Sequence, residues 1–262
     1  MTKLLTGAAL VLAAVALPAS ASAQSDERAP GRVLMLGAGA YAVTNPYESA
    51  KDDVALGGLP LFVFQQGRLN IDLSGLSWTA LDGGAVQLHA RISPRIPLVD
   101  PDETELFDHL DRDVGVDAGF RLSLDQGAFS VSAEYLVDIS DQSGGQSVDL
   151  AMGWRVAATR KLELEASAGA VWSDADLSTW LYGIGRNEAQ NGRVYEFGET
   201  PGAPSGGVWT PNLGLQARYQ LTERTVLIGG VEADFYSSDV TDSPLMADDS
   251  SAGLFLGVMR RF

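Results

Sequence analysis

Apolar and polar residues alternate one by one over long stretches of the chain. The clearest stretches are 114–124, 129–139, 148–158, 162–172, 213–221 and 227–235. Successive side chains of a β-strand point to opposite faces, whereas a helical period would mix Asp117, Arg121 and Glu134 with apolar neighbours. Strands of about 10 residues with one apolar and one polar face are typical of membrane barrels. The pattern predicts an all-β fold, a transmembrane antiparallel up-and-down β-barrel.

The strand count depends on the N-terminal half. Seven strands follow residue 112, and four more segments lie at 33–43, 58–66, 68–80 and 84–92. Within 68–80 the apolar parity changes after Leu73, so Ser74-Gly75 is a bulge or a turn. A turn gives twelve strands, an even number that returns both chain ends to one side. We predict twelve; the alternative is ten, with one upstream segment outside the wall.

Soluble sandwiches and lipocalin-like barrels also alternate, so other features must separate them from a membrane barrel. Here the strands are long, the face predicted to point inward is charged, and short and long connections alternate. The short ones are Asp125-Gln126-Gly127, Thr159-Arg160-Lys161 and Thr222-Glu223-Arg224. The long ones are 140–146, 174–207 and 238–250. Short turns predict the periplasmic side and long loops the extracellular side.

Both chain ends indicate export to the outer membrane. Lys3, an apolar run from Leu4 to Leu17, and small residues up to Ala23 are typical of a secretory signal peptide. We predict cleavage after Ala23 and a single barrel domain at 24–262. The final strand alternates up to Phe262, as in bacterial outer-membrane barrels, although Arg260 stands where an aromatic residue is usual.

Composition narrows the possible functions. The chain has 34 Asp+Glu against 18 Lys+Arg, a formal net charge of −16, and no cysteine. The acidic balance argues against nucleic acid as a partner, since phosphate binding needs a basic stripe. The absence of cysteine excludes disulfides and thiolate metal sites, and we expect no cofactor. Near-neutral mean hydropathy fits the average of a lipid-facing surface and a polar interior.

Candidate enzymatic chemistry is weak. His89 lies within a predicted strand and His109 within an acidic loop, and neither accompanies a G-x-S-x-G motif. Gly37-Ala38-Gly39 lacks the strand–turn–helix setting of a nucleotide site. The acids at 100–113 and 238–250 do not form an EF-hand frame, so they indicate solvated loops or loose divalent-cation binding. We therefore expect a non-enzymatic protein.

The more informative group is a set of charged residues predicted to line the lumen. They are Arg91, Asp113, Asp117, Arg121, Glu134, Asp149, Arg155, Glu163, Glu165, Arg218, Glu232 and Asp234. One interpretation is that they pair across strands and fill the interior. The other is a narrow pore that favours cations, because the acids outnumber the bases.

Several segments, in order, resemble the MipA/OmpV family. They are Asn45-Pro46-Tyr47-Glu48-Ser49, Leu59-Pro60-Leu61, Trp172-Ser173-Asp174, Tyr219-Gln220-Leu221-Thr222 and Asp242-Ser243-Pro244. The resemblance implies an outer-membrane barrel held in the lipid bilayer. For some members it implies a scaffold that joins murein-hydrolysing and murein-synthesising (peptidoglycan) proteins; for others, permeability or adhesion. The hypotheses are thus a scaffold, a small cation channel, or an adhesin using the aromatic residues of 174–207.

Overall fold

The chain forms a closed barrel of twelve antiparallel strands, seen in a computed structural model that describes residues 32–97, 101, 104–110, 112–190 and 192–262. The strands are β1 (Val33–Thr44), β2 (Val54–Gln66), β3 (Leu69–Asp72), β4 (Gly75–Asp82), β5 (Val86–Arg95), β6 (Gly115–Gln126), β7 (Phe129–Asp138), β8 (Gln146–Ala157), β9 (Leu162–Ser173), β10 (Val208–Thr222), β11 (Thr225–Phe235) and β12 (Ser250–Arg261). Each strand pairs with its sequence neighbours, and β12 closes on β1. The predicted fold is confirmed. The signal peptide and its cleavage after Ala23 lie outside the described residues.

The change of parity within 68–80 is a turn. Leu73 and Ser74 connect β3 to β4, and Asp72 pairs with Gly75 across them. Gly75 has φ +109°, a conformation that side-chain-bearing residues rarely adopt, and a Cβ there would also run into the Ile92 carbonyl. The structure therefore confirms twelve strands and excludes ten.

Several strands extend beyond their predicted bounds, and β2, β5 and β10 extend the furthest, β10 beginning at Val208 rather than at 213. β2 begins at Val54 rather than at 58, because Gly57 and Gly58 hide the alternation in that stretch. β5 runs on to Arg95 rather than ending at 92, and it accommodates Pro94 near its end.

The apolar face of the strands points outward. Phe129, Val131 and Met152 are 63%, 51% and 62% exposed, which on a barrel wall means contact with lipid. Aromatic side chains gather at two levels of this surface. Trp172, Trp209 and Phe235 lie near the long loops, and Phe129, Trp154 and Tyr219 lie near the short turns, as the girdles of membrane barrels do. No helix among the described residues has the length and apolar character needed to span a membrane.

The long connections fold over one end of the barrel. α1 (Ala175–Tyr182) begins where the Asp174 side chain accepts a hydrogen bond from the Leu177 N–H, at 2.9 Å. It ends at Gly183, whose hydrogen leaves room for the Tyr195 carbonyl of the same loop. A shorter helix, α2 (Ser238–Thr241), lies in the connection between β11 and β12. Neither helix was predicted, since eight and four residues are too few to show a period.

The wall is uneven at β3 and β4. β3 has only 4 residues and β4 has 8, between neighbours of 13 and 10. Followed around the barrel, the pairing registers place the tops of β3 and β4 roughly five residues below the loop end of the wall, whereas the lower ends are level. We call this gap between the upper parts of β2 and β5 the notch.

Candidate functional site: the barrel lumen

One side of the lumen is charged and tightly paired. Arg91 on β5 and Arg121 on β6 both reach the Glu134 carboxylate on β7, with Nε to Oε2 distances of 3.0 and 2.8 Å. Glu134 is 7% exposed. Arg91 also donates to the Ser74 carbonyl at 3.0 Å and so ties the β3–β4 turn to this wall. Three neighbouring strands thus share one buried carboxylate.

Three further ion pairs continue this charged wall. Arg95 Nη2 lies 2.8 Å from Asp117 Oδ1 near the loop end. Toward the turn end, Arg155 contacts Glu165 at 3.1 Å and Glu163 at 3.7 Å, and both of these glutamates are about one third exposed. Arg95 was missed from the sequence because the strand carrying it was predicted to end at 92. The interpretation that lumen charges pair between strands is correct for this wall.

Other acids in the lumen have no such partner. Asp149 on β8 and Glu232 and Asp234 on β11 form no ion pair within 4 Å among the described residues. The carboxylates of Asp149 and Glu232 repel each other, so this part of the interior carries a concentrated negative charge. Arg218 lies lower on β10, where its nearest opposite charge is Glu163.

One predicted lining residue lies elsewhere. Asp113 precedes β6 by two residues and is exposed at the loop end. The alternation continues backward into residue 113 and so predicts a lumen position, but the pairing of β6 with β5 starts only at Gly115. The other eleven predicted lining residues lie on strands of the wall.

The opposite side of the lumen is apolar. Six buried side chains from β1, β2, β11 and β12 pack together there: Met35, Leu61, Val63, Val226, Ile228 and Met259. We call this the apolar wall. This corrects the expectation of a charged inner face throughout. The apolar wall is not visible in the alternation because both faces of β1 and β12 are apolar or small.

The extracellular loops close the upper lumen with a cluster of buried side chains, the cap. Its members are Tyr41, Val43, Tyr47, Phe107, Leu110, Ile184, Phe197, Val208, Val240, Leu245 and Met246. Arg112 joins two of the capping loops: it pairs with Glu188 and donates to the Trp180 carbonyl at 2.8 Å. Beside the cap, burial raises the pKa of Tyr182 to about 12, so its phenol stays neutral. Trp180 and Phe197 are 9% and 3% exposed, which removes two of the aromatics that an adhesin would present.

The two histidines have ordinary surroundings. His89 Nδ1 lies 3.2 Å from the Thr79 hydroxyl in the wall, and His109 lies beside Asp108 in a loop. Within the described ranges, no group of three or more histidine, aspartate or glutamate side chains is arranged to hold a metal ion. Several acids of 100–113, including Asp100 and Asp111, lie outside those ranges.

A closed barrel with an apolar outer surface, two aromatic girdles and a charged interior is an outer-membrane β-barrel protein. The chain belongs to the family described as MltA-interacting protein MipA, whose sequence model matches residues 36–262. A relative named as outer membrane protein YiaT, from Escherichia coli K12, is 24% identical over 255 residues, covering 96% of this chain and 98% of its own. The resemblance found in the sequence is thereby confirmed, as is the outer-membrane location.

A solved structure shares the architecture. An outer membrane channel from Pseudomonas putida F1 superposes with TM-score 0.50 at 12% identity, covering 91% of this chain and 98% of that one. A NanC porin covers 87% of this chain and 100% of its own at TM-score 0.43 and 8% identity. At 12% identity, the similarity to the Pseudomonas putida channel shows the fold alone.

The two ends of the barrel differ in the sign of their charge. Short turns of outer-membrane barrels face the periplasm, and that end carries Arg32, Arg68, Arg160, Lys161, Arg224, Arg260 and Arg261. We call these residues the basic rim. The loop end is predominantly acidic, for example at Asp239, Asp242, Asp248 and Asp249. The net charge of −16 therefore conceals a strong polarity along the barrel axis.

Proposed function

We propose that the chain, as residues 24–262 after removal of the leader, is a non-enzymatic conduit for small cations. The observation that supports this proposal is the excess of carboxylates over arginines in the lumen. Carboxylates outnumber arginines on the inner face of the strands. The acids there include Asp72, Asp117, Glu134, Asp138, Asp149, Glu163, Glu165, Glu232 and Asp234, and the arginines include Arg91, Arg95, Arg121, Arg155 and Arg218. Rings of carboxylates in a narrow pore select for cations by sign.

The geometry also supports a pathway that is closed at rest. Glu163 and Glu165 keep about one third of their side-chain surface exposed, so the lower lumen is accessible to water from the periplasm. The cap fills the upper lumen with buried apolar side chains. Conduction therefore requires movement of the loops, and open events should be short and of low conductance.

Planar bilayers test this proposal. The refolded protein should open discrete channels, and under a gradient of potassium chloride the reversal potential should have the sign of cation preference. Absence of channels at high applied voltage, or a reversal potential of the anion-selective sign, would refute it.

A substitution at Arg112 tests whether the capping loops close the pathway. Arg112→Met should raise the open probability, because the loop before β6 then loses its pairing to Glu188 and its bond to the Trp180 carbonyl. Removal of one partner of a buried charged pair is strongly destabilising, whereas loss of an exposed pair costs little. Single-channel recording checks this. The matched control is Arg186→Met, which removes an arginine that is 63% exposed in the same loop system. Equal open probabilities in wild type and both variants would contradict a role for Arg112 in closure.

A second function is favoured by a different observation. The family description names an interaction with MltA, and the basic rim offers an anionic partner a surface on the periplasmic side. We propose a scaffold role for peptidoglycan machinery as this alternative. The turns themselves are short, so the rim offers less than the roughly 1,600 Å² of a standard interface, and we expect a low-affinity contact. Pull-down from envelope extract tests it: a murein enzyme that binds wild type but not a charge-neutralised rim supports it, and no murein enzyme above background counts against it.

A further inference from the structure

Among the described residues, the notch leaves parts of the β2 and β5 edges without a strand partner inside the membrane. Residues 54–62 of β2 pair with β1 on one side, but β3 covers β2 only at Val63–Gln66. On the other border, β5 is paired with β4 only up to Ile92. The notch therefore spans the width of two strands in an otherwise closed wall.

Its height places it in the outer half of the bilayer. The notch begins at the level of the upper aromatic girdle, where Trp209 and Phe235 lie, and ends about midway to the lower one. Leu56 on its border is 77% exposed. Open sheet edges are costly in hydrocarbon because their N–H and C=O groups find no water, so the edge must be adapted to that position.

Prolines on both borders show such an adaptation. The β1–β2 ladder, in which the Asn45 N–H bonds to the Asp53 carbonyl, directs the backbone of even-numbered β2 residues toward the notch. The Pro60 nitrogen therefore faces the gap. In the β5–β6 ladder, the Asp125 N–H donates to the Ala85 carbonyl, so the backbone of odd-numbered β5 residues faces β6. The Pro94 nitrogen therefore faces the notch from β5. Proline has no N–H, and strands carry it where an edge stays unpaired.

An apolar path leads inward from this gap. Leu73, in the turn that forms the floor of the notch, packs against the apolar wall, and so does Leu59 above it. Leu59 also packs against the cap. The interior reached by this path is amphipathic, with the apolar wall on one side and the charged pairs of β5 to β9 on the other.

We propose that the notch is a lateral opening through which an acyl chain of an outer-leaflet lipid enters the lumen. The chain lies along the apolar wall between Leu59 and Met259, and the polar headgroup faces the charged wall. This goes beyond cation conduction, since it assigns the apolar half of the interior a ligand of its own. Leu59 lies at the level of the notch, and the apolar wall continues below it toward the short turns. A chain that enters beside Leu59 therefore meets apolar side chains along its length, and such surroundings favour hydrocarbon over water.

Site-directed fluorescence tests the opening, and the cysteine-free chain makes single cysteines selective. Bimane is attached at Leu61→Cys on the apolar wall, at Ser167→Cys on the far side of the lumen, and at Leu215→Cys on the lipid-facing surface. The registers place all three near mid-height. The labelled proteins are reconstituted in phosphatidylcholine vesicles with or without brominated acyl chains. Leu59→Cys serves as a second apolar-wall site if Leu61→Cys does not fold, as judged by heat-modifiable gel mobility.

The expected result is loss of fluorescence in brominated vesicles at Leu61→Cys and Leu215→Cys, but not at Ser167→Cys. Protection of the apolar-wall label, equal to that at Ser167→Cys, would overturn the proposal; a strand from a second copy sealing the edge of β2 would give this result. Equal quenching at all three sites would also overturn it, because access would then not depend on the notch. Channel activity is a separate readout, so failure here leaves cation conduction to its own test.

Discussion

Replacing Glu134 by glutamine is expected to lower the free energy of unfolding by about 3–5 kcal/mol. Glu134 is 7% exposed and forms ion pairs with both Arg91 and Arg121. The variant leaves two guanidinium groups facing each other with no carboxylate between them. Breaking a buried pair is costly because the remaining charge has lost its compensation, and here two charges lose it together.

Urea unfolding in detergent micelles, followed by gel mobility and tryptophan fluorescence, measures this loss. The matched control is Glu163→Gln, which removes a carboxylate 3.7 Å from Arg155 with 35% of its side chain exposed. An exposed pair of this kind contributes about 0–1 kcal/mol. If both variants unfold at the same urea concentration as wild type, the shared carboxylate does not hold β5, β6 and β7 together.

Neutralising Asp149, Glu232 and Asp234 should weaken the cation preference. The variant carrying Asp149→Asn, Glu232→Gln and Asp234→Asn loses three lumen carboxylates and keeps every lumen arginine. Because a pore selects by the sign of its lining charge, the reversal potential in a salt gradient should move toward zero.

The control for this variant removes the same number of acids from the extracellular loops. Asp239→Asn, Asp242→Asn and Asp248→Asn lie at the loop end, outside the wall. Exposed charges more than about a Debye length from the ions' path are screened at ordinary salt, so this variant should keep the wild-type reversal potential. Equal shifts in both variants would place selectivity in the loops rather than in the lumen.

The strands of the wall can be predicted from the sequence because their side chains alternate between lipid and lumen with a period of two residues. In β7, Val131 and Glu134 fall on opposite faces by position alone. The turn at Leu73-Ser74 was also visible, because a change of parity between Leu73 and Leu76 cannot occur in a straight strand. The alternation and the change of parity each depend only on residues that are neighbours in the sequence, so the sequence alone shows them.

Features that depend on contacts between distant segments were not predicted. The apolar wall arises where β1 and β12 meet β2 and β11, and inward apolar residues on strands with two apolar faces carry no parity signal. The cap joins residues as far apart as Tyr41 and Leu245. The notch follows from the relative lengths of β2, β3, β4 and β5. Its border at β5 could not be predicted because the alternation ends that strand at 92, three residues before its true end.

The central claim is that the polar face of each strand lines an aqueous lumen while the apolar face contacts lipid. Single cysteines at Ser130, Val131, Ser132 and Ala133 of β7 test it most directly, with a charged, membrane-impermeant thiol reagent applied to protein in vesicles. The account predicts labelling at Ser130 and Ser132 and protection at Val131 and Ala133. Uniform labelling, or labelling in the opposite phase, would contradict it.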